Sequence, residues 1–198
     1  MTTFIAFSDT MPNTNSGYGG TANGTDVREV IPVTSLNSVY TGPVRASVII
    51  KSQTGTSGNL DGLYIGSSGG GTNGVNFGGD QAQIKWSGSA SLALSGAQTY
   101  AASDLSPQFF YDPSKPLVIA MHFSGANCTA ASRSASIGAN TNNYQLNTLS
   151  QVSLTTPAGS YTGDTFYSWV MEIDLLETPI PTDPPFGLRR HIAWMRAR

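Results

Sequence analysis

Few side chains in this sequence could carry out chemistry. The chain has two histidines, His122 and His191, and one cysteine, Cys128. A Ser/His/Asp arrangement needs one of these histidines beside an exposed serine. The hydrolase form with the serine on a sharp strand-to-helix turn is not predicted, since no helical pattern follows the glycine-rich residues 66–79. A zinc site needs several His, Cys or carboxylate ligands, and no such set occurs at ligand spacing. We therefore interpret His122 as a histidine satisfied in the core or on a sheet face, and Cys128 as a small buried or loop thiol.

Two acidic residues are the remaining candidates for chemistry. Residues 165–177 alternate in polarity and predict the strongest strand of the chain. One predicted face carries Tyr167, Trp169, Met171, Ile173 and Leu175, and the other carries Phe166, Ser168, Val170, Glu172 and Asp174. We interpret Glu172 and Asp174 as two like charges on a solvated face, with ligation of a cation as the alternative. Paired carboxylates for glycoside hydrolysis are recognised by their separation in space, so the sequence leaves that alternative open.

The composition indicates which partners the chain does not suit. Charged residues make up 11% of the 198 residues, against about 25% in an average soluble domain. Residues 1–188 carry six basic and twelve acidic groups, a net charge of −6, because four of the ten basic residues lie at 189–198. A body of that sign is a poor binder of nucleic acid. The sequence contains no run of about 18 apolar residues, so it does not predict a membrane-spanning helix. The first residues do not resemble a signal peptide, and we therefore expect synthesis in the cytoplasm.

Strand patterns occupy most of the chain, because short apolar runs alternate with clusters of Gly, Ser, Asn, Asp and Pro. Strands are predicted at residues 2–7, 27–33, 44–51, 60–66, 81–86, 90–94, 117–124, 144–154 and 165–177. Pro32 indicates an edge position for the second strand, and the nearly all-apolar residues 117–124 indicate a central one. Residues 66–79 contain seven glycines and are expected to form a flexible loop. The pattern predicts an all-β fold, an antiparallel jelly-roll-like β-sandwich over residues 1–177.

Three segments stand apart from the predicted sandwich. Residues 8–26 are rich in Gly and Asn and predict a long polar loop or arm. Residues 178–185 contain four prolines and predict a stiff linker. Residues 186–198 predict a basic amphipathic docking tail, with contacts from Phe186, Leu188, Arg189, Arg190, Ile192, Trp194, Met195 and Arg196. We expect this tail to bind a partner subunit; folding back onto its own sheet and binding at a membrane surface are the alternatives.

Four stretches carry a resemblance to a known domain. They are LYIG at residues 63–66, IKWSG at 84–88, ASDL at 102–105 and KPLVIAMHF at 115–123. Residues 44–176 resemble the β-sandwich domain found beside some GDSL-type (SGNH) esterases and in structural proteins of tailed bacteriophages and gene transfer agents. Residues 7–9 read Phe-Ser-Asp rather than the Gly-Asp-Ser block of those esterases, and no Asp-x-x-His follows. The resemblance therefore favours the virion branch.

The resemblance, together with the predicted tail, implies a non-enzymatic structural protein of a phage-like virion. We expect a homo-oligomer exposed on a tail tip, a fibre or the head, bound to other virion subunits through residues 186–198 and able to contact host-surface polysaccharide. Aromatic residues on loops would stack on sugar rings, and the candidates are Tyr18, Tyr100, Phe110, Tyr111 and Tyr161. The alternatives are a freestanding carbohydrate-binding module and a glycan hydrolase or esterase. We expect no cofactor.

Overall fold

The computed structural model describes residues 1–8, 24–53, 55–128, 131–132, 142–146, 151–158, 162–164, 167–168 and 170–178. In chain order their strands are β1 (Thr3–Ser8), β2 (Thr25–Ile31), β3 (Gly42–Ser52), β4 (Ser57–Gly70), β5 (Asn76–Phe77), β6 (Ala82–Ile84), β7 (Leu92–Ser95), β8 (Gln98–Thr99), β9 (Phe109–Tyr111), β10 (Leu117–Asn127), β11 (Ala131–Ser132), β12 (Asn142–Leu146), β13 (Thr162–Asp164), β14 (Tyr167–Ser168) and β15 (Val170–Glu177). Two 3-10 helices span Val33–Ser35 and Thr72–Gly74. Neither of these described helices approaches the length that crosses a bilayer.

Two antiparallel sheets pack face to face. The large sheet has the order β13-β12-β2-β10-β4-β5, with β6 and β7 also paired to β4. The small sheet has the order β1-β15-β3-β8, with β9 also paired to β3, and β11 pairs with β14 separately. Fully buried side chains from both sheets, such as Val48 of β3 and Ile119 of β10, form one apolar core between them. The predicted all-β sandwich is confirmed, whereas its jelly-roll connectivity stays a prediction.

Strand β10 is buried on both faces, as its apolar sequence predicts. It pairs with β2 on one side and with β4 on the other. Leu117 and Ile119 face the core between the sheets, while Val118 and Ala120 face a second apolar cluster on the outer side of the large sheet. Val152 belongs to that outer cluster. Residues 151–158, here called the cover segment, therefore lie over the outer face of the large sheet.

The prediction that Pro32 limits the second strand to a sheet edge is wrong. Strand β2 lies between β10 and β12 and pairs with both. Its last paired residue is Ile31, and Pro32 follows it, so the missing N–H of proline costs the sheet no ladder hydrogen bond.

The prediction of a flexible loop at residues 66–79 is also wrong for its first part, because residues 66–70 continue strand β4. The glycines there allow a close approach of neighbouring chain segments. A Cβ atom at Gly66 would lie 3.1 Å from the Phe77 ring and 3.2 Å from the Gln81 Cα. Glycine in this stretch serves strand packing rather than flexibility.

A β-bulge in the last strand places Val170 on the face opposite to the predicted one. The pairing of β15 with β3 shifts register between Val170 and Glu172. As a result Val170 is fully buried together with Ile173 and Leu175, although simple alternation places it on the opposite face. An extra residue in one strand reverses the orientation of everything before it, and sequence alternation does not reveal it.

The segments predicted outside the sandwich lie largely beyond the described residues. Ser8 ends β1 and Thr25 and Asp26 begin β2, so the arm predicted at 8–26 is described only at its two ends. Residues 9–23, 179–185 and 186–198 are outside the described residues. The described part of the last sheet strand ends at Glu177, and the predicted boundary between sandwich and linker stays a prediction.

Serine hydroxyls complete the free edge of β3. Beyond the short strand β8, the Ser103 hydroxyl accepts a hydrogen bond from the Val48 N–H, and the Ser106 hydroxyl accepts one from the Ala46 N–H, both at 2.9 Å. The N–H groups of the same two serines donate to the carbonyls of Val48 and Ala46. The 103–106 stretch thus replaces a neighbouring strand with side-chain acceptors, which satisfies backbone groups that would otherwise be buried without partners.

We predict that Ser106→Ala lowers the free energy of unfolding by about 1–3 kcal/mol, because the buried Ala46 N–H loses its acceptor. Ser91→Ala is the control, since Ser91 is exposed, and should change stability by less than about 0.5 kcal/mol. Urea unfolding followed by tryptophan fluorescence measures both. Equal stability of the two variants would contradict the role assigned to the Ser106 hydroxyl.

Candidate functional site

The three described aromatic residues predicted to stack on sugars, Tyr100, Phe110 and Tyr111, differ in exposure and do not form one surface. Phe110 is 48% exposed and is the described candidate whose ring is most open to solvent. Tyr100 is half-buried, and its hydroxyl accepts the Ser95 N–H at 2.8 Å and contacts the Ser52 hydroxyl at 3.1 Å. Its hydroxyl therefore holds neighbouring backbone in place. Tyr18 and Tyr161 lie outside the described residues.

Tyr111 was predicted as a sugar-stacking residue, and that prediction is wrong. Its side chain is 0% exposed, and its ring packs 5.9 Å from the ring of Phe4. Its hydroxyl donates a hydrogen bond of 2.6 Å to the Asn37 carbonyl. Burial raises the pKa of Tyr111 to about 12. The alternation of β9 explains the error, because Phe109 and Tyr111 face inward and only Phe110 faces outward.

Phe110 is presented by a strand that is tied to both sheets. Strand β9 pairs with β3 of the small sheet, and Phe110 lies opposite Pro43. The Phe110 N–H donates to the Asp80 carboxylate at 2.6 Å, and the Phe110 carbonyl accepts the Ser67 hydroxyl at 2.9 Å. Because Ser67 belongs to β4 of the large sheet, the backbone under this ring is fixed from two directions.

A buried carboxylate and a histidine meet on the outer face of the large sheet. Asp26 of β2 lies opposite His122 of β10, and Oδ1 of Asp26 is 2.5 Å from Nδ1 of His122. The other oxygen of Asp26 accepts the backbone N–H of Gln151, in the cover segment. Asp26 is 1% exposed, so these two bonds compensate its loss of water. Nδ1 of His122 thus has a hydrogen-bond partner in Asp26. The prediction of a satisfied histidine on a sheet face is confirmed at this nitrogen.

Arg28, two residues along the same face of β2, holds the cover segment down. Its guanidinium donates to the carbonyls of Val75 at 3.0 Å, Gln151 at 3.0 Å and Leu154 at 2.7 Å. It also lies 4.5 Å from the centre of the Phe77 ring, a cation–π contact. Arg28 is 1% exposed, so backbone carbonyls and an aromatic face stabilise its charge in place of water.

The nucleophiles of the described residues are occupied by structural contacts. Cys128 is buried, its thiol lies 3.6 Å from the Ser124 carbonyl, and burial raises its pKa. Residues 66–70 spell Gly-Ser-Ser-Gly-Gly, which fits the Gly-x-Ser-x-Gly pattern of hydrolases, yet they run within β4. The central Ser68 donates its hydroxyl to the Gly74 carbonyl at 2.8 Å and accepts the Gly70 N–H. Neither residue has the environment of an activated nucleophile.

Glu172 and Asp174 lie on the outer face of the small sheet, paired with Ile49 and Ser47. Both are half-buried, and burial raises the pKa of Asp174. Within the described ranges, no three His, Cys, Asp or Glu residues come together as metal ligands. The two side chains share one face, as alternation predicts, but that face is partly covered rather than fully solvated.

Sequence reasoning missed the Asp26–His122 pair and the role of Arg28. On this face of β2 only Val30 indicated a covered surface, because Asp26 and Arg28 beside it are typical of a solvated one. The partners, however, lie between 47 and 126 residues away, and pairing at that distance depends on the fold.

We predict that Arg28→Met lowers the free energy of unfolding by about 3–5 kcal/mol, because one buried and two partly buried carbonyls lose a charged donor. Arg45→Met is the control: Arg45 also donates to two carbonyls but is exposed, and its loss should cost less than about 1 kcal/mol. If Arg28→Met does not fold, Arg28→Lys, which keeps the charge but not the planar fork, should fold with an intermediate loss. Equal costs at the two positions would contradict this assignment.

The raised pKa of Tyr111 predicts a loss of stability in alkali. The group ionises near pH 10 in the unfolded chain and near pH 12 in the fold, so its stabilising effect is complete below pH 10 and disappears as the pH rises through 12. Tyr111→Phe removes this pH-dependent contribution to stability along with one hydrogen bond. The difference in unfolding free energy between wild type and variant should therefore narrow between about pH 9 and about pH 12. A constant difference over that range would show that Tyr111 ionises equally in both states.

A comparison with protein-family models finds no match to this chain, and a comparison with curated proteins finds none similar to it.

Proposed function

We propose that this protein is a non-enzymatic structural component of a phage-like virion, exposed at a tail tip, a fibre or the head, which contacts glycan on the host surface. The observation that carries the binding part of this proposal is Phe110, an aromatic ring 48% exposed on a strand held by both sheets. Aromatic faces bind the apolar faces of sugar rings, and a fixed backbone lowers the entropy lost when the ring is immobilised.

We propose a non-enzymatic role because the buried polar groups are engaged in hydrogen bonds within the protein. Among the described residues, the carboxylate of Asp26 and the hydroxyls of Ser68, Ser103 and Ser106 all bond to the protein's own chain. Such groups stabilise the sandwich and are not available to a substrate. A polar surface of low charge suits repeated weak contacts with neutral polysaccharide better than binding of ionic ligands.

Assembly into a particle is proposed to depend on residues 186–198. Their sequence combines apolar side chains with four arginines, and it follows a proline-rich stretch that begins just after β15. The homo-oligomer and the contacts with other virion subunits belong to this part of the proposal. A freestanding carbohydrate-binding module would share the Phe110 site but would not need the tail. A variant truncated after residue 178 separates the two. As a virion component it should no longer associate with other subunits, whereas as a module it should keep its oligomeric state and its glycan binding.

We predict that Phe110→Ala weakens binding to bacterial surface polysaccharide by about tenfold, the effect of losing one aromatic stacking contact of about 1.4 kcal/mol. Ile5→Ala is the matched control, because Ile5 is 49% exposed on β1 of the small sheet and should leave binding unchanged. Phe110→Trp should retain binding. Affinity electrophoresis in gels containing each polysaccharide measures all three variants. Loss of binding in Ile5→Ala, or full binding in Phe110→Ala, would remove the support for this surface.

A further inference from the structure

We propose that the outer face of the small sheet binds residues 186–198 of a second copy of this chain. This contact rests on the association through residues 186–198 proposed above and adds the surface that receives them. The surface, here called the small-sheet face, combines apolar and acidic side chains, namely Ile5, Ile49, Leu176, Glu172 and Asp174.

Strand pairing brings these five side chains together. Ile5 of β1 lies opposite Asp174 of β15, and Glu172 of β15 lies opposite Ile49 of β3. Leu176 follows Asp174 by two residues and therefore shares its face. None of the three apolar residues belongs to either described core cluster, and Ile5 is 49% exposed. The small-sheet face thus places apolar side chains beside two carboxylates on the side of the sheet away from the core.

The two carboxylates of this face have no described cation beside them. Glu172 and Asp174 are half-buried, and within the described part of the chain neither side chain forms an ion pair or a hydrogen bond. Arg45, which shares this face, donates to two carbonyls of the 103–106 stretch, and Lys51 is 8% exposed. Burial raises the pKa of Asp174, so its charged form is less well stabilised than in water. A partner that brings cations and apolar side chains suits such a surface.

Residues 186–198 have the composition that complements this face. They contain four arginines and neither Asp nor Glu, whereas residues 1–188 carry a net charge of −6. Guanidinium groups bind carboxylates through paired hydrogen bonds, and they lose less on leaving water than an ammonium group does. The same segment supplies apolar side chains for contact with the apolar residues of the face, namely Phe186, Leu188, Ile192, Trp194 and Met195. Charge and apolar content therefore match together.

The direction in which the chain leaves β15 favours a second copy over the chain's own face. The Thr178 N–H donates to the Pro43 carbonyl, so the backbone still runs alongside β3 at this point. Residues 178–185 include four prolines and no glycine, and a residue before proline favours extended backbone. The sequence therefore favours continuation away from the sheet over a reversal onto it. Eight extended residues span at most about 28 Å, enough to reach an adjacent copy. Such a contact joins two different surfaces of identical chains and is heterologous.

A charge exchange in the full chain tests this contact. One variant carries Glu172→Lys with Asp174→Lys, and the other carries Arg189→Glu with Arg190→Glu. We expect the wild type to self-associate, and each variant alone to associate more than about tenfold more weakly, because repulsion replaces attraction. An equimolar mixture of the two variants should recover association, since each tail then meets a face of opposite charge. Sedimentation velocity at about 1–100 μM measures all four samples.

A milder pair of variants guards against misfolding. Glu172→Gln with Asp174→Asn should weaken association by about two- to thirtyfold, the effect of losing two partly exposed ion pairs. The control is Asp61→Asn with Asp104→Asn, which changes the net charge equally at two exposed carboxylates beside the 86–91 turn. This control should associate like the wild type.

Three results would each overturn the inference: a wild type that stays monomeric, no recovery of association in the mixture, or equal weakening in the control pair. Weakening by the arginine changes alone would also overturn the small-sheet face as the receiving surface, while leaving the proposed role of residues 186–198 in association intact. Phe110 is unchanged in every variant, so glycan binding reports on the proposed function separately.

Discussion

The central constraint on this structure is that strand β10 is apolar on both faces. Its inner face is covered by the small sheet through ordinary apolar packing. Its outer face needs a second cover, and the chain supplies residues 151–158, which contribute Val152 to a small cluster. Val152 and Pro157 are the buried side chains of this segment, and they bury too little area to hold eight residues in place, since a fully buried valine is worth about 1.5–3 kcal/mol. The buried polar groups Asp26 and Arg28 hold the cover segment instead, through hydrogen bonds to its backbone.

This arrangement explains why a chain with so few charges buries several of them. A buried charge is stable only if its lost hydrogen bonds to water are replaced. For Arg28 the carbonyls of Gln151 and Leu154 accept such hydrogen bonds. Serine hydroxyls act in the same way on a smaller scale at the edge of β3. The high content of small polar residues therefore serves internal hydrogen bonding as well as the surface.

Features that depend on local patterns could be predicted from the sequence, and features that depend on distant pairing could not. Alternation correctly placed Val44, Ala46, Val48 and Ile50 in the core, and the apolar run of β10 correctly indicated a central strand. By contrast, the bulge beside Val170 and the inward orientation of Tyr111 depend on register, which strand composition does not specify. The Asp26–His122 pair joins residues 96 apart in the sequence and was visible only in the fold.

Hydrogen exchange at the Gln151 amide tests the central claim most directly, because this N–H donates to the buried Asp26 carboxylate. If the cover segment is an integral part of the sandwich, the amide should exchange only through global unfolding, as slowly as the amides of Val118 and Ile119 in β10. Exchange at the rate of an exposed loop would show that residues 151–158 open independently, and would contradict the account of how the outer face of the large sheet is closed.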